Sequence, residues 1–168
     1  LVLMPSNANL FIKGKIDEIK QIISSTISLV LMISLPMALG LASIGFTLIP
    51  WYLGSEFVEV GYVIIWLVPI IVALALSGIS QYFIATNQTN YLIKSYVIAA
   101  LVNVIINYFT IPTMGCYGAA LGTVIAEYIS VGIQYYYMSR TIKVLSTLIK
   151  SFKYFLYSCI MCAISVFI

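Results

Sequence analysis

The chain has 168 residues, of which 62% are hydrophobic and 8% charged, with a net charge of +3 and a mean hydropathy of +1.11. Soluble domains carry about 25% charged residues, so this sequence cannot cover a water-facing surface and reads as a membrane protein. The small positive charge sits in connecting segments and gives no basis for nucleic-acid binding.

The sequence opens on Leu1, and its first hydrophobic run is cut at Pro5 without the pattern of a signal peptide. It stops at Ile168, inside a hydrophobic run that begins near Phe152. Both ends read as truncated, so the chain is expected to be the C-terminal part of a longer transporter. From Leu10 to Gln21, Lys13, Lys15, Asp17, Glu18 and Lys20 alternate with Ile12, Ile16 and Ile19 at helical spacing. That pattern predicts an amphipathic interfacial helix leading into the membrane. The run that follows is free of charge as far as Ser55, ample for one span at about 20 residues. Pro36 should kink it and Pro50 should end it, leaving Trp51 and Tyr52 at headgroup level.

Glu56 and Glu59 lie in the next connection. A second apolar run starts at Val60, carries Pro69 in its middle and Gln81 and Tyr82 towards its far end, and closes in the polar stretch 86–90. Lys94 marks the start of a third span. The connection 111–116 holds Pro112 and Gly115, which should stop one helix and start the next, giving an antiparallel hairpin. Beyond a fourth span come Arg140, Lys143, Lys150 and Lys153, and then a fifth hydrophobic run. The expected fold is an all-α polytopic transmembrane bundle forming one membrane domain over 1–168. It has about five spans, at 22–50, 61–85, 92–111, 117–138 and 152–168. Segments 10–20, 86–94 and 139–153 hold all eight basic residues, and 51–60 and 112–116 hold none. The positive-inside rule puts the basic segments in the cytoplasm, where the glycosylation pattern at Asn87 has no use.

Several polar side chains lie where hydrocarbon should not tolerate them. Glu127 is midway along its span, where an ionised carboxylate costs at least about 2.5–3.5 kcal/mol on insertion scales. Thr123, Glu127, Ser130 and Gln134 share one helix face, and Asn103 and Asn107 form an i, i+4 pair on the helix before. An antiparallel hairpin brings mid-span positions level, so one of the asparagines is expected to hydrogen-bond Glu127. Gly118, Gly122, Ala126 and Ser130 recur every four residues, the small-residue stripe of close membrane-helix packing. Two readings stand side by side: Glu127 clamps the two helices together, or it forms the wall of a cavity that meets a polar substrate or a coupling proton. Substrate and cavity candidates are therefore Gln81, Asn103, Asn107, Glu127 and Gln134, with Gln81 and Tyr82 also suited to an interfacial role.

Cys116, Cys159 and Cys162 are odd in number, and Cys159 and Cys162 fall inside the last apolar run, so they read as small packing residues. The chain has no histidine and no paired carboxylates near a nucleophile. Nothing in it calls for catalysis, a metal or a cofactor.

The stretch from Gly78 to Arg140 resembles the bacterial polysaccharide repeat-unit flippases (O-antigen, capsular or teichoic acid type), exporters related to the MATE transporters. The likeness rests on Gln81-Tyr82 before a short polar turn, the Asn103-x-x-x-Asn107 helix, Pro112 ahead of Gly115-x-x-Gly118-Ala119-Ala120, and Thr123-x-x-x-Glu127. Weaker echoes are the segments 4–19 and 50–57. The resemblance implies a two-lobe bundle in the cytoplasmic membrane that rocks about a central cavity. Its implied cargo is a lipid-linked oligosaccharide on a polyprenyl pyrophosphate carrier, with a polysaccharide polymerase as a candidate partner. A pyrophosphate calls for arginine or lysine. None lies inside these spans, so anion recognition would come from the missing N-terminal half or from Lys94. A cation-coupled multidrug exporter of the same superfamily, a multi-spanning glycosyltransferase or polymerase and a non-transporting subunit are the competing readings.

Overall fold

Charge-free runs fix where helices form, and the backbone's forced turns fix where they stop. The structure, a computed structural model, describes residues 10, 13, 15–139 and 153–163. Residues 1–9, where Pro5 cuts the first hydrophobic run, the basic stretch 140–152 and the end of the fifth expected span, 164–168, lie outside the described residues. Among the described residues every regular element is helical and none is a strand, so the fold is an all-α transmembrane bundle. Three helices are long and apolar enough to cross a membrane, or four if one bent pair counts as a single span.

Helix α1 (Ile16–Leu53) runs for 38 residues, about 57 Å at the usual rise. Asp17 and Glu18 sit in its first turn, where the positive helix end favours carboxylates. The exposed pairs Lys15–Glu18 at 2.6 Å and Lys20–Asp17 at 2.9 Å add little to that. Ile19, Ile23, Ile27, Leu31, Ser34 and Ala38 are buried at three- or four-residue spacing and form one inward stripe. Contrary to expectation, Pro50 lies inside α1. A proline removes the bond its own N–H would make and crowds the carbonyl one turn back, yet the helix continues past it. The helix instead stops at Gly54, which takes φ +107° while its N–H still reaches the Pro50 carbonyl at 3.0 Å.

The second apolar run is broken rather than continuous. After a short 3₁₀ turn come α2 (Val58–Leu67), α3 (Pro69–Leu76), a second 3₁₀ turn at Ser77–Ile79, and α4 (Ser80–Ala85). The halves Ser55–Leu67 and Pro69–Ala85 meet at 41°. Pro69 begins α3, a position where its missing N–H is tolerated. A tight turn at Asn87, with φ +56° as asparagine allows, leads into α5 (Thr89–Met114). Helix α5 runs straight through Pro112, again contrary to expectation, and the hairpin is made by Gly115 alone. Its φ of +56° reverses the chain, its N–H bonds the Ile111 carbonyl at 2.8 Å, and α6 (Cys116–Ser139) starts at the next residue.

The core lies at one end of the bundle. Ile19, Ile23, Ile27 and Leu31 from α1 meet Ile79, Tyr82 and Phe83 from the broken span, Leu92 from α5 and Met138 from α6. Tyr91 and Tyr137 stack beside them at 4.3 Å, and Tyr154 of α7 (153–163) packs against the same cluster. This is the end that carries Lys15, Lys20, Lys94 and Lys153. The opposite faces of α5 leave Leu101, Val104, Ile105 and Phe109 exposed, as suits a helix bathed in lipid.

Because Gly115 alone reverses the chain, Gly115→Ala should cost about 1–2 kcal/mol through its forbidden backbone angle. Pro112→Ala, at an exposed site inside an intact helix, should be neutral or stabilising. Thermal unfolding in detergent compares the two. A larger loss from Pro112→Ala would assign the reversal to the wrong residue.

Candidate functional site

Helices α5 and α6 approach more closely than any side chain on the stripe would allow. A Cβ on Gly118 would stand 2.6 Å from the Thr110 carbonyl, and one on Gly122 would overlap Asn107 Oδ1. Gly118, Gly122, Ala126 and Ser130 are all buried on α6. The pairs Thr110 with Gly118, Asn107 with Gly122 and Tyr91 with Tyr137 set an antiparallel register. In that register Asn103 stands level with Ala126, Ala99 with Ser130, and Ser95 with Gln134. Leu92, Ser95 and Ala99 are the buried residues of α5.

Along this contact runs a seam of polar groups. Asn107 Nδ2 donates to Asn103 Oδ1 at 3.0 Å, an i, i+4 bond made within one helix. It leaves Asn107 Oδ1 buried against Gly122 without a hydrogen-bond partner. The expectation that an asparagine would bond Glu127 is therefore replaced. The two amides bond each other because neighbours one helical turn apart are nearer than a side chain across the interface. Glu127 instead shares an open hollow of about 420 Å³ with Asn103, Thr123, Ser130, Ala99 and Tyr96. It is half-buried and has no hydrogen-bond or ion-pair partner among the described residues. Thr123 turns its hydroxyl to the Ala119 carbonyl at 2.9 Å. Further along, Gln134 is fully buried, donates to Ser130 Oγ at 3.2 Å, and keeps Oε1 unpaired.

Asn103 and Glu127 thus share the hollow, with Asn107 on one side of it and Gln134 on the other along the seam. Gln81 is elsewhere: it borders a small, partly open gap of about 30 Å³ among α1, the broken span and α6, beside Ile23, Thr26 and Tyr135. Sequence reasoning missed Tyr128, whose hydroxyl donates to the Pro69 carbonyl at 3.0 Å. A signal was available: tyrosine prefers the membrane interface, and this one is midway along its span.

Glu127 is the only charged residue of α6, and it stands open and unpaired at mid-depth between two apolar helices. The bundle around it is that of a multi-pass membrane protein. Residues 1–168 match the family described as Lipid II flippase MurJ, within the MOP exporter superfamily, and the chain belongs to that family. Its members are flippases for lipid-linked precursors, transporters rather than catalysts, and multi-pass proteins of the inner membrane. No curated protein matches the chain closely enough to count as a relative.

Gly122→Ala should force the Asn107 amide aside and part the two helices, lowering stability by about 1–3 kcal/mol. Gly132→Ala on the same helix meets nothing within 4 Å and should leave stability unchanged. Melting temperatures of the two purified variants decide this, and equal losses would remove the close approach as the cause.

Proposed function

We propose that the chain forms part of a flippase that carries a polyprenyl-pyrophosphate-linked saccharide across the cytoplasmic membrane by alternating access. The observation that carries this reading is the hollow at Glu127, which an unpaired carboxylate shares with the Asn103 amide and with Tyr96, Thr123 and Ser130 between apolar spans. Facing lipid, that set would cost several kcal/mol, so the face it occupies meets water or a polar solute. A saccharide head offers hydroxyls that amide and carboxylate groups can bond, while its lipid tail stays in the bilayer. Asn103 and Glu127 are the side chains nearest the cargo, with Asn107 and Gln134 along the same seam, while Gln81 in its separate gap lies off that path.

The end of the bundle that carries Lys15, Lys20, Lys94 and Lys153 faces the cytoplasm in this reading. Exposed Lys94 then stands at the inner mouth, where it can meet a pyrophosphate. The proposed cargo is an oligosaccharide repeat unit of a surface polysaccharide, supported by the motifs from Gln81 to Glu127. Lipid II is the second reading, favoured by the family match. A polysaccharide polymerase that takes up the flipped units is the partner the first reading implies.

Depletion of the gene should trap lipid-linked repeat units on the cytoplasmic side and leave peptidoglycan synthesis intact. Trapped lipid II with loss of wall integrity would assign the second cargo instead, and normal levels of both products would end the flippase reading. In the full-length protein, Glu127→Gln should lower flipping at least about tenfold, which corresponds to about 1.4 kcal/mol, at unchanged membrane level. If flipping stays normal, Glu127 has no part in the path.

A further inference from the structure

Two neighbouring residues of α6 reach different parts of the protein at the same depth. Glu127 opens on the hollow beside α5, and Tyr128 donates its hydroxyl to the Pro69 carbonyl at 3.0 Å. Consecutive residues on a helix point about 100° apart, so one helix touches both the polar hollow and the broken span. Pro69 is where that span bends by 41°, well beyond the roughly 20° that marks a sharp kink. The proline ring supplies no N–H to the carbonyl of Ile65 and pushes against it, so the two halves are held together less firmly than in an intact helix. Helix α6 packs against both halves, with Tyr117 meeting Trp66 at 6.4 Å before the bend and Tyr128 gripping Pro69 at the bend itself. A tyrosine hydroxyl in an apolar span needs an acceptor, and the Pro69 carbonyl supplies one within the protein.

We propose that Tyr128 is a positioning residue for translocation. Its hydroxyl latches the Pro69 carbonyl, and a shift of α6 on filling or emptying the hollow at Glu127 is passed through that bond to the bent span. The latch's place in a transport cycle rests on the alternating-access reading given above; its effect on the bend does not. One hydrogen bond between membrane helices shifts a two-state balance by about threefold on average and by about twentyfold at most. That is strong enough to favour one bend angle and weak enough to be broken in every cycle.

The test uses the full-length transporter in lipid nanodiscs, free of native cysteines, with spin labels at Glu59→Cys and Ile84→Cys, two exposed sites on either side of the bend. Tyr128→Phe removes one oxygen and should shift or broaden the label-to-label distances. It should also slow translocation about threefold, at unchanged protein level. Tyr108→Phe, at an exposed site away from the bend, should change neither. Pro69→Ala returns the missing N–H and should straighten the span, and adding Tyr128→Phe to it should then have no further effect. Unaltered distances in Tyr128→Phe, an equal response in Tyr108→Phe, additive effects with Pro69→Ala, or altered distances with normal translocation would each overturn the proposal. Distances that respond in a protein that moves no lipid-linked saccharide would sink the flippase reading and leave the latch standing.

Discussion

The close approach of α5 and α6 is the constraint from which the rest of the structure follows. Between membrane helices there is no hydrophobic drive, because lipid tails are as apolar as leucine, so association depends on tight packing and on polar bonds. Gly118 and Gly122 supply the first by letting the Thr110 backbone and the Asn107 amide sit where side chains would otherwise be. The same closeness decides which polar groups meet. Asn107 is pressed onto Gly122 and turns its amide to Asn103, while Glu127, beside the small Ala126, is left at an open margin. Packing and polarity are therefore one feature: the stripe that joins the helices also exposes the carboxylate.

The prolines show how much depends on what surrounds a missing N–H. Pro36, Pro50 and Pro112 all lie inside helices that continue past them. Pro69 instead divides two helices. There the chain has a donor from another helix, the Tyr128 hydroxyl, on the Pro69 carbonyl, and the fully buried Ala73 one turn on. The ring is the same in each case, and it breaks the helix where neighbouring elements can hold the bent geometry.

The apolar core and the polar hollow lie at different depths of the bundle. The isoleucine and aromatic core gathers at the basic end and ties α1, α4, α5, α6 and α7 together. The polar hollow and the bend lie near the middle of their spans. Helices keep their backbone bonds satisfied internally on both sides of the bend, so it leaves few polar backbone groups to be satisfied by lipid.

Composition and patterning by themselves determined that the chain is an all-α membrane bundle, where its apolar runs lie, and that Glu127 and the two asparagines stand at membrane depth. Those properties depend on transfer energies and helical spacing, which are local and additive along the chain. The small-residue stripe was legible for the same reason, since a four-residue period marks a face whatever packs on it. Only the tertiary structure decided that the asparagines bond each other and leave Glu127 unpaired. The tertiary fold alone also moved Gln81 to a separate gap, ended α1 at Gly54 rather than Pro50, and broke the second run at Pro69 with Tyr128 holding the joint. Each of these depends on which atom of a distant residue arrives within about 3 Å, and hydrogen bonds are too short-ranged for spacing along one helix to settle that.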